Sequence, residues 1–168
     1  MLVGRRGLGR FMETLHSNGV PVLVFSGGLG DSIKEFFDYH DMRPDSVHII
    51  ANFCEFDHEG RVVGWARDKT HINPFTKNEA NAEPYLKRGI IAERKNLILL
   101  GDQPSDTAMA TGARHDTVLT VGFLNNREDQ LKEYQKEFDV LIKGPNASLD
   151  FATGLVRQIA AASTEPKT

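Results

Sequence analysis

Asn96-Leu97-Ile98-Leu99-Leu100-Gly101-Asp102-Gln103-Pro104-Ser105-Asp106 is the stretch on which the fold of this chain turns. Its four consecutive apolar residues have the length and composition of a short strand buried on both faces. The run stops at Gly101, which leaves Asp102 at the strand's end. Pro104 suits the first turn of a helix, and Ser105 and Asp106 are polar enough to begin one. Ligands of parallel α/β sheets bind just beyond the carboxyl ends of the strands. Two carboxylates held there suit Mg²⁺, which keeps several waters and takes only one or two carboxylates. The same residues also suit a plain turn followed by a first-turn helix acid.

Upstream, Val20-Pro21-Val22-Leu23-Val24-Phe25 predicts a buried strand that ends in Ser26-Gly27-Gly28-Leu29-Gly30-Asp31. The glycines predict a tight turn whose backbone can come close to a ligand. Ile33, Phe36, Phe37 and His40 then fall at helical spacing, with Ser32 and Glu35 placed as a capping box. A hydroxyl, free N–H groups and a helix N-terminus suit an oxyanion, and a structural turn would use the same residues. Arg10 to Ser17 reads as the end of a preceding helix, stopped by Asn18-Gly19.

Val47-His48-Ile49-Ile50 is a further apolar run. Asn52 to Trp65 follows as two short alternating segments around Asp57-His58-Glu59-Gly60, which predicts a β-hairpin protruding from the main sheet. Arg67 to Thr76 shows no period and reads as loop, with His71 exposed in it. Lys77 stands just before a predicted helix start at Asn78-Glu79-Ala80-Asn81-Ala82, and an isolated lysine is ordinarily a solvated surface charge. Beyond the opening stretch, Thr107 to Gly112 continues its helix and Thr117-Val118-Leu119-Thr120-Val121 is a strand. Asn126 to Phe138 is an amphipathic helix with Leu131, Tyr134 and Phe138 on one face. Asp139 to Ile142 is a last strand. Ser148 to Ala161 is the closing helix, with Ser148 as its cap and Leu149, Ala152, Leu155, Val156 and Ile159 as its apolar stripe. Strands alternating with helices predict a parallel α/β sheet with right-handed crossovers.

The chain has 168 residues, the size of one domain, and a net charge of −3 with its basic residues scattered. That balance gives no support for nucleic-acid binding through a basic face. The single cysteine, Cys54, excludes a disulfide within the chain and fits a reducing compartment and a small buried hydrophobe. No apolar run approaches the roughly 20 residues that cross a bilayer. Met1 to Phe11 bears arginine and no acid but lacks the length and serine content of a transit peptide. A core domain is expected over residues 1–162, with 163–168 as a polar, disordered tail.

Three signals stand in order: Ser26 with a glycine-rich segment, Lys77 between strands, and Gly101-Asp102 with Asp106 four residues on. Together they suit phosphoryl transfer, with hydroxyl and N–H groups for phosphate oxygens, a lysine for their charge and aspartates for Mg²⁺. This order resembles the haloacid dehalogenase-like phosphatases. Val20 to Asp31, Asn52-Phe53 and the hairpin, Leu99 to Asp102, and Gly122-Phe123-Leu124-Asn125 resemble the cytosolic type III (pyrimidine) 5′-nucleotidases, from about Phe11 to Ala161.

The resemblance implies a three-layer Rossmann-like core and Mg²⁺-dependent hydrolysis of nucleoside 5′-monophosphates in the cytoplasm. It implies that Ser26, Gly27, Gly28 and Lys77 hold phosphate. Lys77 would neutralise it and the nucleophile, Asp102 would bind Mg²⁺, and Asp106 would be the supporting acid. It also implies a nucleophilic aspartate in an Asp-x-Asp-x-Thr motif on a first strand, followed by a helical cap that reads the base. No aspartate precedes Ser26 here; Glu13 is the only acid in that region, and neither Asp31 nor Asp57 offers the motif. The expectation is therefore the C-terminal part of such an enzyme, without the first strand and cap, and inactive by itself. The alternative is a non-catalytic phosphate- or nucleotide-binding domain. Base preference and oligomeric state stay open.

Overall fold

The computed structural model describes residues 4–42, 44–66, 71–73, 76–77, 94–110 and 115–164. In chain order its regular elements are α1 (Leu8–Ser17), β1 (Val22–Leu29), α2 (Gly30–Tyr39), β2 (Val47–Asn52), β3 (Cys54–Phe56), β4 (Val62–Trp65), β5 (Asn96–Gly101), β6 (Thr117–Leu124), α3 (Leu131–Glu137), β7 (Val140–Lys143) and α4 (Asp150–Thr164). Short 3₁₀ turns cover Pro44–Ser46, Pro104–Ala110 and Glu128–Gln130. The parallel α/β architecture follows the sequence pattern, and the hairpin β3–β4 forms a two-stranded antiparallel sheet of its own.

The parallel sheet is in two pieces. β1 pairs with β2, and β5, β6 and β7 pair in that order, all in parallel. Among the described residues no ladder joins β1 to β5. The two pieces nevertheless share one core. Val22, Val24, Val47 and Ile49 from the first piece and Ile98, Leu100 and Leu119 from the second pack against Phe11, Met12, Leu15, Phe37, Val121, Phe123, Ala152 and Val156. Leu99, Leu124, Tyr134 and Phe138 form a second cluster on the opposite face of β6. Residues alternate across a strand, so Val121 and Phe123 look toward α1 and α4 while Gly122 and Leu124 look toward α3. That gives helix, sheet and helix as three layers.

The deepest strand is β6, not β5. Thr120 through Leu124 are all buried, whereas β5 buries only Leu99 and Gly101. Among the described residues β6 is paired on both edges and β5 on one, so β5 stands at the edge of its sheet. Gly122 is required there by packing: an added Cβ would lie 2.5 Å from Phe138 and 2.7 Å from Leu141. The apolar face predicted for Leu131, Tyr134 and Phe138 is the face that meets this layer.

Several boundaries differ from expectation. β1 does not turn at the glycines but runs extended through Ser26, Gly27 and Gly28 to Leu29, with its ladder to β2 interrupted between Phe25 and Leu29. None of these glycines has a positive φ. Their use is close approach: Gly30 lies against the Phe53 ring, where a Cβ would stand 2.6 Å away. α2 consequently starts at Gly30, which places Ser32 inside the first turn, and the helix carries no side-chain cap. The capping box is not formed. The segment predicted as one helix from Asn126 is a 3₁₀ turn followed by α3. Ser148 Oγ accepts the Asp150 N–H at 3.3 Å as expected of a cap, but Ile159 is exposed and drops out of the apolar stripe. α4 also continues through Ser163 and Thr164, which were expected in the tail, because an alanine run favours the helix and Ser163 Oγ donates to the Ile159 carbonyl at 2.9 Å. Residues 165–168, the helix start predicted at 78–82 and residues 111–112 lie outside the described residues.

Candidate active site

The turn after β5 is organised by a buried carboxylate. Asp106 is 5% exposed and sits in the 3₁₀ turn that Pro104 opens. Its Oδ2 accepts the backbone N–H of Asp102 at 3.0 Å and of Gln103 at 3.1 Å. Its Oδ1 accepts Lys77 Nζ at 2.6 Å. Charge-assisted bonds of this kind are short and strong, and both partners are largely withdrawn from water, with side chains 19% and 7% exposed. Gly101 makes room for the arrangement: a Cβ there would stand 2.7 Å from the Asp106 Cβ and 2.9 Å from Oδ2.

Asp102 is presented differently. Its residue is exposed at the carboxyl end of β5, and its carboxylate has no hydrogen-bond or ion-pair partner among the described residues. Its backbone is held from both sides, since its N–H goes to Asp106 and its carbonyl accepts the Tyr134 hydroxyl at 2.5 Å. Tyr134 is 1% exposed, and burial, the largest influence, pushes its phenol above the ordinary tyrosine range while Arg127 acts in the opposite direction. Arg127 also donates to Gln103 Oε1 at 2.9 Å, which ties the same turn to the segment before α3. Tyr134→Phe removes the bond from the buried phenol to the Asp102 carbonyl. It should cost about 1 kcal/mol, read as a lower urea midpoint at an unchanged slope.

At the end of β1, Ser26 Oγ accepts the Gly28 N–H at 3.0 Å. One of the two N–H groups expected to be free is therefore engaged within β1 itself. Gly27 and Gly28 are themselves exposed, and Ser26 is half-buried. The lysine and the serine segments are brought to one place through Asn52 at the end of β2. Its carboxamide donates to the Gly27 carbonyl at 2.9 Å and to the Ile72 carbonyl at 2.8 Å, and accepts the Ile72 N–H at 2.7 Å. Ile72 is thereby held at the carboxyl ends of β1 and β2, and Lys77 reaches Asp106 in the turn after β5. Of the residues expected from the sequence, Lys77 and Asp106 are in direct contact, Asp102 stands in the same turn, and Ser26 and Gly27 are linked to them through Asn52 and Ile72; the sequence offered no sign of the bonds that Asn52 and Tyr134 make. An Asn at a strand end and a Tyr in an apolar stripe carry no local signal for either role.

Residues 2–160 match the family model described as pyrimidine 5′-nucleotidase (UMPH-1). The chain belongs to the pyrimidine 5′-nucleotidase family. It is 30% identical over 157 residues to the 7-methylguanosine phosphate-specific 5′-nucleotidase of Mus musculus, covering 92% of this chain and 51% of that protein. The human protein of the same description is 29% identical over 157 residues, again with 92% and 51% covered. The crystal structure of cytosolic 5′-nucleotidase IIIB bound to cytidine superposes with a TM-score of 0.81 at 25% identity, over 94% of this chain and 54% of that one. The fold is therefore the haloacid dehalogenase-like one, in a family of hydrolases. The chain spans about half the length of the curated relatives it matches.

Membership of this family implies a divalent metal. The residues fit a part of such a site. Asp102 offers one unengaged carboxylate where a strand ends, whereas both oxygens of Asp106 are already used. No cluster of three or more His, Cys, Asp or Glu able to hold a metal exists among the described residues. A hard cation that keeps most of its waters is compatible with one such ligand. No helix among the described residues is long and apolar enough to cross a membrane.

Proposed function

We propose that this chain is the phosphate- and metal-binding part of a cytoplasmic, Mg²⁺-dependent nucleoside 5′-monophosphate phosphohydrolase. The observation that carries the proposal is the buried Lys77–Asp106 pair at 2.6 Å, fixed beside a free Asp102 carboxylate at the end of β5. Asp106 holds the Lys77 ammonium in place and shapes the backbone that presents Asp102. Lys77, the Ser26 hydroxyl and the Gly27 N–H take the phosphate oxygens, and the Gly28 N–H, which Ser26 Oγ accepts here, joins them only by giving up that bond. Asp102 is the metal ligand. Mg²⁺ bound there supplies positive charge against the phosphate oxygens. The ammonium, held by a partner that is itself anchored on two N–H groups, needs no reorganisation to meet the charge that develops in phosphoryl transfer.

A covalent route through an aspartyl phosphate needs an aspartate nucleophile. The residues before Ser26 include no aspartate, and their one acid, Glu13, is exposed on α1. On this reading these residues bind phosphate and metal, and turnover requires an aspartate nucleophile that they do not supply. With inorganic phosphate and Mg²⁺ at about 100 times the dissociation constant, the folded state gains about 2.7 kcal/mol, seen as a raised melting temperature. Lys77→Ala abolishes that gain. Cytidine and 7-methylguanosine 5′-monophosphates release no phosphate above the blank. Phosphate release that Lys77→Ala removes would overturn the inactivity, and the absence of any stabilisation by phosphate would overturn the site.

A further inference from the structure

We propose that Asn52 is a positioning residue that sets Lys77 against the Ser26–Gly28 segment of β1. This rests on the assignment of those residues to the phosphate site. Asn52 is 6% exposed, and a buried carboxamide must find partners for one acceptor and two donors. Asn52 finds all of them in backbone groups of two segments. Its oxygen accepts the Ile72 N–H, and its nitrogen donates to the Ile72 and Gly27 carbonyls. The opposite orientation of the amide would set its NH₂ against the Ile72 N–H and its oxygen against two carbonyls, so the assignment is unambiguous.

The paired bonds to Ile72 copy what a neighbouring strand would provide, at a place where β2 ends. The Ile72 side chain, 2% exposed, plugs the small core of Phe25 and Ile50, the residues that pair across β1 and β2. Ile72 is thereby anchored by its backbone and by its side chain. Asn73 and Thr76 are bonded to each other: Asn73 N–H donates to Thr76 Oγ1 at 2.8 Å, Thr76 N–H reaches Asn73 Oδ1 at 3.1 Å, and Thr76 Oγ1 donates to the His71 carbonyl at 3.0 Å. Lys77, the residue after Thr76, donates to Asp106. The same carboxamide holds Gly27, whose Cα already stands close enough to Ile72 that an added Cβ would lie 3.5 Å from the Ile72 carbonyl oxygen. One side chain therefore ties Ile72, five residues before Lys77 in the sequence, to Gly27 of β1. Aspartate keeps the acceptor and loses both donors, and alanine loses all three bonds.

The test is site-resolved acetylation of lysines with acetic anhydride in the whole chain, read by mass spectrometry, for the unmutated protein, Asn52→Ala and Asn52→Asp. Lys77 should react about tenfold faster in both variants, the consequence of releasing a bonded ammonium, while Lys34, Lys95 and Lys143 stay within about twofold. A purely structural role for Asn52 would leave the Lys77 rate level with the other three, and an unchanged Lys77 rate overturns the proposal. Should either variant unfold, amide hydrogen exchange of the unmutated chain decides: the Ile72 N–H should be slowed by about a hundredfold or more, and exchange at the rate of an open loop overturns the proposal. Inorganic phosphate should further slow Lys77 acetylation in the unmutated chain. Absence of that slowing would defeat the phosphate assignment, while the link from Asn52 to Lys77 is still decided by the labelling rates.

Discussion

Asp106→Asn lowers the melting temperature of this chain by about 10 °C, the shift that a loss of about 3 kcal/mol produces in a domain of this size. The loss has three sources in one residue. Asp106 accepts two backbone N–H groups and one ammonium, and it is buried. An amide keeps a single acceptor oxygen. Whichever way it turns, its NH₂ faces either the Lys77 ammonium or the N–H groups of Asp102 and Gln103. Removing one partner of a buried pair leaves the other charge without compensation, which is the costly case. Lys77→Met should be milder, about 1 kcal/mol, because the carboxylate keeps its two N–H donors and the lysine is the more exposed partner. Differential scanning calorimetry on dilute samples reads both. A shift below about 3 °C for Asp106→Asn would show that the turn after β5 is held by Tyr134 and Arg127 rather than by the carboxylate.

As its concentration rises, the chain self-associates through the open edges of β1 and β5. Each of these strands has one ladder among the described residues, β1 to β2 and β5 to β6, so each offers a row of N–H and C=O groups on its other side. Neither edge carries the usual protection. Val22-Leu23-Val24-Phe25 and Leu97-Ile98-Leu99-Leu100 hold no charge and no proline, and most of their residues are only half-buried. Unpaired edges of that composition recruit other strands. The driving force is large on the scale of the fold: each unmade buried hydrogen bond costs roughly 1–3 kcal/mol against a total stability of about 5–15 kcal/mol. Sedimentation velocity across a concentration series should show species larger than the monomer growing in, and an added polypeptide segment able to pair with both edges should suppress them. A single monomeric species throughout, with slowly exchanging amides along both strands, would count against this.

The elements and the site were legible in the sequence to different depths. α1, β2, the hairpin and the Leu131–Tyr134–Phe138 face were visible because period and turn chemistry are properties of neighbouring residues. The path of Ser26–Gly28 was not. Glycine permits both a tight turn and an extended strand, and the choice was made by Phe53 and the Ile72 segment packing against the backbone. The capping box at Ser32 and Glu35 failed for the same reason, since extending β1 moved the helix start to Gly30.

The order of Ser26, Lys77 and Gly101-Asp102-Asp106 was enough to place the chain in its family and to name the residues of the candidate site. Their arrangement was not contained in that order. Lys77 and Asp106 are 29 residues apart and Asn52 and Ile72 are 20 apart. Such bonds form only after β2 and β5 have been laid down in a common core, so no local preference of the chain selects them. The tertiary structure decided that both Asp106 oxygens are engaged while the Asp102 carboxylate has no partner among the described residues. Burial is the physical reason: a carboxylate withdrawn from water must be satisfied by nearby donors, and one left at an exposed strand end keeps its oxygens for a ligand.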